Sequence, residues 1–434
     1  MEQSVSSAAQ AAKKAALTLQ GLSGDRKNQA LRVISQELEK QKDRIFTTNR
    51  ADCARAEKEK VAAPLLKRLV FDQAKLAEAL SGLASLTSLP DPVGVTLSAR
   101  ELDAGLELYQ VTCPIGVLGI IFESRPDALV QIASLALKSG NAVLLKGGSE
   151  ARETNACLAD ILLSAGRNSG LPDGWLCLLE SRLDVAAMLK EEDALDLIIP
   201  RGSKEFVRHI MDNTAVPVLG HADGICHLYV AADADLDMGV ALTLDGKCQY
   251  VAVCNALETL LVDEKVAPAF LPRVYAALRE RKVEVRGCEK TAALIGCPPA
   301  TEEDWRTEYL DYILSIKVVS GLSEAVAHIN TYGSKHTDSI VTRNREEAAR
   351  FLDLVDSACV FWNASTRFAD GYRFGLGAEV GISTNKIHAR GPVGMEGLLI
   401  YKWKLLGNGQ QVAAYAGPRA RAFTHTTLSR PFPL

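Results

Sequence analysis

Apolar positions in residues 4–88 recur at spacings of three and four, with Lys, Arg and Glu between them. That period predicts helices with one buried face. Pro90 and Pro92 end the block. Residues 94–116 (GVTLSARELDAGLELYQVTCPIG) alternate loosely about Asp103-Ala104-Gly105, the pattern of an extended hairpin.

A regular alternation follows. Strands are predicted at 117–122 (VLGIIF), 142–146 (AVLLK), 175–179 (WLCLL), 195–199 (LDLII) and 216–220 (VPVLG), with helices at 127–140, 150–166, near 183–190 and at 203–213 between them. Helical crossovers of this length imply right-handed connections and a parallel sheet covered on both faces. Such α/β sheets bind nucleotides at the carboxyl ends of their strands. A second α/β unit is read from 236 to 375, with helices at 236–246, 265–281 and 345–355 and strands at 313–319, near 338–341 and at 358–363. The expected division is a nucleotide-binding domain at 1–93 and 117–235, with 376–394 returning to it, a catalytic domain at 236–375, and an arm formed by 94–116 and 395–434. The arm includes a late strand-like run, LLIYKWKLLG at 398–407, and a polar, Pro- and Arg-rich tail after Pro418 that is expected to be loosely held.

At 434 residues the chain is long for one domain, and its 47% hydrophobic and 24% charged residues are those of a soluble globular protein. A net charge of −4 gives no reason to expect nucleic acid or an anionic membrane as partner. No apolar run is long enough to span a bilayer, and the Ala-rich N-terminus lacks the apolar core of a secretory signal. A cytoplasmic location is the expectation. The ten cysteines are scattered without a CxxC pair, so free thiols are expected, and no His/Cys cluster has zinc-ligand spacing, so no metal is.

Cys254, in VAVCNALETLLV at 251–262, changes this picture. Cys113, Cys157, Cys177, Cys226 and Cys359 lie inside apolar patterns and read as core, whereas Cys254 precedes a strand and has Gln249 and Asn255 as polar neighbours. A nucleophilic thiol reacts as the thiolate and needs donors for the oxyanion formed on acyl attack. The amides of Cys254 and Asn255 and the Asn255 side chain are candidates. LLKGGSEA at 144–151 ends a strand on Lys146 and opens a helix after two glycines, a place where backbone and helix N-terminus can receive phosphate. IIPRGSKEFV at 198–207 repeats the geometry, with Ser203 as N-cap. No GxGxxG follows a strand. His221, His227 and His336 read first as structural histidines; the glycine-rich stretch 377–394, with Lys386, His388 and Arg390, reads as a functional loop suited to an anionic substrate.

Together these segments resemble the aldehyde dehydrogenase superfamily, known for a nucleotide-binding fold without the glycine fingerprint and for a cysteine nucleophile. CPIGVLGIIFESRP is similar to its segment entering the sheet, with Glu123-Ser124-Arg125-Pro126 in place of the usual Pro-Trp-Asn-Phe-Pro. The resemblance implies that Lys146 contacts the adenosine ribose, that Gly202 and Ser203 open the helix beside the cofactor, and that Glu308 binds the nicotinamide ribose. It implies an α/β fold with a parallel-sheet nucleotide-binding domain, a second α/β catalytic domain and a β-hairpin oligomerisation arm.

FESRPDALVQIASLALKSGNAVLLKGG, HADGICH, CNALETLLV, HTDSIVT and AEVGISTNKIHARGPVG resemble one branch in particular, which reduces L-glutamate 5-phosphate to L-glutamate 5-semialdehyde in the second step of proline biosynthesis. This implies Cys254 as nucleophile, NADPH as cofactor, a homo-oligomer, and a transient contact with glutamate 5-kinase. Ser124, Arg125, His336 and Arg390 become candidates for gripping the substrate. Hydrolytic members carry a water-activating glutamate where this chain reads VLGHADGIC; its absence fits reduction of an acyl phosphate. Glu150 would oppose a 2′-phosphate if it points inward, and Arg152 would offset it. Two alternatives stay open: another acylating enzyme, linked to CoA or NAD, and a non-catalytic nucleotide-binding scaffold.

Overall fold

The computed structural model describes residues 4–61, 63–123, 125–202, 204–220, 223–376 and 379–434. Five helices open the chain: Val5–Leu19, Gly24–Lys40, Lys42–Lys58, Ala63–Leu69 and Gln73–Ser88. Ser4, Ser23 and Asp72 cap three of them by accepting from backbone N–H groups of the first turn. Leu89, preceding Pro90, is extended and ends the last.

One unit comprises Met1–Gly202, His209–Val218 and Val393–Leu434. At its centre is a parallel sheet in the order Leu176–Leu179, Ala142–Lys146, Val117–Ile121, Leu197–Pro200. The two middle strands are buried throughout, as expected where helices cover both faces. Register aligns Ile121 with both Lys146 and Pro200, and Lys146 with Leu179. The turns after Lys146 and after Pro200 therefore leave the sheet at one edge, its carboxyl edge. The fifth strand expected at 216–220 reduces to one bridge, Val218 to Ile198. Pro217 explains this: its carbonyl accepts from Ile198 at 2.9 Å, but it has no N–H to extend the ladder.

The same unit carries a four-stranded sheet in the order Leu399–Leu406, Leu106–Pro114, Thr96–Asp103, Thr426–Thr427, antiparallel at every pairing. Gly105, at φ +69°, makes the hairpin turn where a side chain would be strained. The tail is not loosely held. Thr426 and Thr427 pair with Glu101 and Arg100, Phe432 packs edge-on against buried Tyr109 with ring centroids 5.4 Å apart, and the Phe432 amide donates to Thr96 at 2.8 Å. Its aromatic residue supplies the apolar cover that the polar composition hid.

The second unit comprises Ser203–Arg208 and Leu219–Pro392. Its six-stranded parallel sheet runs Cys359–Trp362, Thr337–Val341, Cys226–Val230, Leu257–Asp263, Ile313–Val319, Glu284–Gly287. The expected boundary at 236 is too late, because Cys226–Val230 is an inner strand of this sheet. The stretch 376–392 groups with this unit instead of returning to the first, and Thr384 donates to Gly220 at 3.3 Å.

Candidate active site

Cys254 lies in the loop 249–256, between the helix Leu236–Cys248 and the strand Leu257–Asp263. A buried ion pair spans the base of that loop, Lys247 Nζ to Glu258 Oε2 at 2.7 Å, with both side chains removed from solvent. Burial works against both charged forms, pushing Glu258 up to about 7 and Lys247 down, and their mutual attraction offsets part of it. Glu308 stands close enough to raise Glu258 further. Its neighbour Tyr309 is fixed by hydrogen bonds to Asp304 at 2.7 Å and Ser315 at 2.8 Å.

The thiol is partly exposed, and its neighbour is an imidazole. His336, fully buried at the start of Thr337–Val341, places Nε2 3.2 Å from Cys254 Sγ. Its Nδ1 lies 2.8 Å from the Thr337 hydroxyl. The tautomer that donates from Nδ1 leaves Nε2 as acceptor facing the thiol. Cys226 backs the pair, with Sγ 3.3 Å from the Cys254 carbonyl and 3.8 Å from His336 Nδ1. Burial pushes the Cys226 thiol well up, which keeps it a neutral packing group. Gly224 closes over the loop so tightly that a Cβ there would lie 2.0 Å from the Cys254 carbonyl.

Asn255 departs from expectation in its side chain alone. Its side-chain amide donates to the Ala369 carbonyl at 2.9 Å, and the residue is only 5% exposed. The Asn255 backbone N–H, by contrast, bonds to no described residue. Arg390 is also committed elsewhere: Nη1 and Nη2 hold Asp356 at 3.2 and 3.0 Å, where Lys386 joins them at 2.8 Å. Together the cations keep the Asp356 carboxyl below its usual range, Lys386 contributing most.

In the first unit, Lys146 is 7% exposed and its ammonium donates to the Gly147 carbonyl. Beyond it a small open depression is lined by Gly147, Gly148, Ser149, Arg152, Asn155 and Glu180. A Cβ on Gly147 would meet Asn155 Nδ2 at 2.2 Å, and one on Gly148 would meet the Glu150 carboxyl, so Glu150 lies over the second glycine. Arg152 pairs with Glu180 at 3.2 Å. Asn155 Oδ1 is buried and has no hydrogen-bond partner among the described residues. Gly202 and Arg125 are exposed; Ser124 and Ser203 lie outside the described residues, as does His221. His227 is structural, with Nδ1 2.8 Å from Asp338 inside the sheet.

Gly224 and Arg367 were not singled out from the sequence. Arg367 follows the strand Cys359–Trp362, and the one signal for it was a basic residue between Thr366 and Phe368 just past a strand's carboxyl end.

The aldehyde dehydrogenase family model matches residues 1–296. The γ-glutamyl phosphate reductase of Pelotomaculum thermopropionicum is 61% identical over 420 residues, covering 97% of this chain and 96% of the relative. That of Acetivibrio thermocellus is 59% identical over 431 residues, covering 99% and 100%. The crystal structure of the γ-glutamyl phosphate reductase from Thermotoga maritima superposes with a TM-score of 0.92 at 40% identity, over 94% of this chain and 99% of that one.

The chain belongs to the aldehyde dehydrogenase family.

Within that family it falls in the γ-glutamyl phosphate reductase branch. The architecture extends more widely: an acetylating aldehyde dehydrogenase from Geobacillus thermoglucosidasius shares the fold at 17% identity, with a TM-score of 0.63 over 94% of this chain and 97% of that one. The parallel sheets of both units are those of an aldehyde dehydrogenase-like α/β protein. No described helix is long and apolar enough to cross a membrane.

Proposed function

We propose that this chain reduces L-glutamate 5-phosphate to L-glutamate 5-semialdehyde and phosphate with NADPH, as the second step of proline biosynthesis in the cytoplasm. The observation that carries the reading is the partly exposed Cys254 thiol with His336 Nε2 3.2 Å from its sulfur, in a chain 61% identical to a γ-glutamyl phosphate reductase.

His336 accepts the thiol proton, and the Cys254 thiolate attacks the γ-carbonyl of the acyl phosphate. Phosphate departs with the electrons of the broken C–O bond, leaving a thioester on Sγ. The Asn255 backbone N–H is available to the oxyanion of the tetrahedral intermediate. NADPH, when bound, supplies the hydride that takes the thioester to the aldehyde level. The two glycines beyond Lys146 suit a dinucleotide, because they leave the backbone open to close approach and Asn155 presents a buried oxygen with no hydrogen-bond partner among the described residues. Lys146 and Gly202 would hold the adenosine and phosphate portion, together with Ser203, and Glu308 the nicotinamide ribose. Glu150 over Gly148 works against a 2′-phosphate and Arg152 in its favour.

We further propose a homo-oligomer assembled through the antiparallel sheet, and a transient contact with glutamate 5-kinase that passes on the labile acyl phosphate. The test is phosphate-dependent reduction of NADP by the purified protein with glutamate 5-semialdehyde. Reduction that depends on CoA instead of phosphate would reassign the chain to an acylating aldehyde dehydrogenase.

A further inference from the structure

Arg367 is 8% exposed, in the short turn Thr366–Phe368. Three hydrogen bonds fasten this turn to the nucleophile loop. Arg367 Nε donates to Gln249 Oε1 at 3.0 Å, Thr366 Oγ1 donates to the Asn255 carbonyl at 2.8 Å, and the Asn255 amide donates to the Ala369 carbonyl at 2.9 Å. The guanidinium is thus held between residues that flank Cys254 on both sides in sequence.

Among the described residues no carboxylate is in ion-pair contact with Arg367, and its Nη groups make no hydrogen bond. Asp370, the acid three residues on, is paired with Arg373 at 3.4 Å and accepts the Tyr372 and Arg373 amides at 3.0 Å each. Arginine does not shed its proton to escape burial. A buried cation with no carboxylate in ion-pair contact is costly, and its forked donors match a phosphate or carboxylate. Burial holds Arg367 below its ordinary range and Arg373 adds to this, while attraction to Cys254, and after it to Asp245 and Asp370, opposes it, which places the thiol and the guanidinium within each other's field.

We propose that Arg367 is the anion-binding residue of this site, taking the phosphate of the acyl phosphate while Cys254 Sγ displaces it. The identity of the anion rests on the reductase reading; the existence of an anion site beside the thiol does not. As the S–C bond forms, the C–O bond to phosphate breaks, and phosphate leaves with that electron pair, its charge met by the guanidinium. The thiol proton has passed to His336 Nε2. No oxidant or reductant enters this step. In the reverse direction the same fork would hold inorganic phosphate for attack on the thioester.

The experiment is alkylation of Cys254 in the full chain, which needs no turnover. Wild type, R367Q and R367K are treated with anionic iodoacetate and neutral iodoacetamide, with and without inorganic phosphate or glutamate. The rate ratio of iodoacetate to iodoacetamide is expected to fall about tenfold in R367Q and to be partly kept in R367K, which retains the charge without the fork. Phosphate is expected to slow alkylation of wild type and not of R367Q. An unchanged ratio in both variants overturns the anion site. Protection by glutamate and not by phosphate overturns the phosphate assignment and gives Arg367 to the substrate carboxylate. If R367Q fails to fold, the R367K ratio decides. If the ratio shifts while phosphate-dependent NADP reduction is absent from wild type, the reductase reading falls and the anion site stands.

Discussion

His336 Nε2 sits 3.2 Å from Cys254 Sγ, and the imidazole is wholly buried while the thiol is not. The ring is fixed from behind by Thr337, so Nε2 is held toward the sulfur. His336→Gln is expected to lower the maximal rate about 10²- to 10⁴-fold, the usual worth of a positioned base. It should also slow iodoacetamide alkylation of Cys254 at neutral pH and shift the pH profile of that reaction upward. Alkylation at the wild-type rate and pH dependence would make the imidazole a packing group. Cys254→Ser should abolish turnover and leave dinucleotide binding nearly intact, because a hydroxyl is a far weaker nucleophile.

Gly224 tests the loop backbone separately. An alanine Cβ there would lie 2.0 Å from the Cys254 carbonyl oxygen and 2.3 Å from its Cα, both main-chain atoms that cannot rotate away. The loop must shift by about an ångström, and misplacement on that scale costs about 10²-fold in rate. Rate measurement together with a cofactor titration checks this. A Gly224→Ala protein with wild-type turnover would mean that the loop adapts freely.

Lys146 and Glu308 should separate by kinetic parameter. Lys146→Ala is expected to raise the Michaelis constant for the dinucleotide with little change in maximal rate, since it removes a contact remote from the hydride. Glu308→Ala should act mainly on the maximal rate, through orientation of the nicotinamide ribose. Initial-rate kinetics with varied NADP decide, and the opposite pattern would exchange or remove the two assignments.

The parts of the fold that were legible are those whose signals are local. Val117–Ile121 is short and apolar throughout, Ala142–Lys146 is apolar up to its terminal lysine, and glycines stand beside both, so each announces a buried strand. Cys226–Val230 does not, because its His227 looks too polar for an inner strand. Only the Asp338 carboxylate, 111 positions away, makes that histidine compatible with burial. The same limit applies to the site. Cys254 could be picked out by its place ahead of a strand. Arg367 could not, since the residues that fasten its turn, Gln249 and Asn255, are 118 and 111 positions distant. Of the donors the sequence offers at Asn255, the side chain drops out for the same reason: Ala369 claims it, which leaves the backbone N–H.

His328 gives a pH dependence with a definite sign. Its ring lies among His227, Trp305 and Tyr332, with centroids at 5.6, 5.4 and 4.5 Å. Burial, with His227 and Lys317 adding to it, brings its pKa down to about 2. In the unfolded chain it titrates near 6.5. A depressed folded value means that the unfolded state binds the extra proton, so stability is present above about pH 6.5 and is lost as pH falls below it, by about 1.4 kcal/mol per unit for this one group. In His328→Gln that loss should be absent. Urea unfolding of both proteins between about pH 7 and 5 should show their stability difference narrowing as pH falls. Curves that stay parallel would mean that the ring protonates in place.

The outer strand of the antiparallel sheet bears on assembly. Leu399–Leu406 ends the strand order and pairs along its whole length with Leu106–Pro114, so its other edge is unpaired among the described residues. On it Ile400, Tyr401, Trp403 and Leu405 are 45%, 48%, 55% and 56% exposed. A long apolar edge strand left open is a template for pairing with another chain, and natural proteins seldom leave one bare. Pairing of two such edges about a twofold axis gives a closed dimer, and dimers can associate further. The protein is therefore expected to be at least a dimer at micromolar concentration by light scattering. Trp403→Asp should shift it toward monomer, because it puts a charge where the partner's apolar face would lie. Removing 398–434 should do the same or cause aggregation, since Phe432 then no longer covers Tyr109. A clean monomer mass for the intact protein, with full activity, would overturn the oligomer and leave the Cys254 chemistry standing.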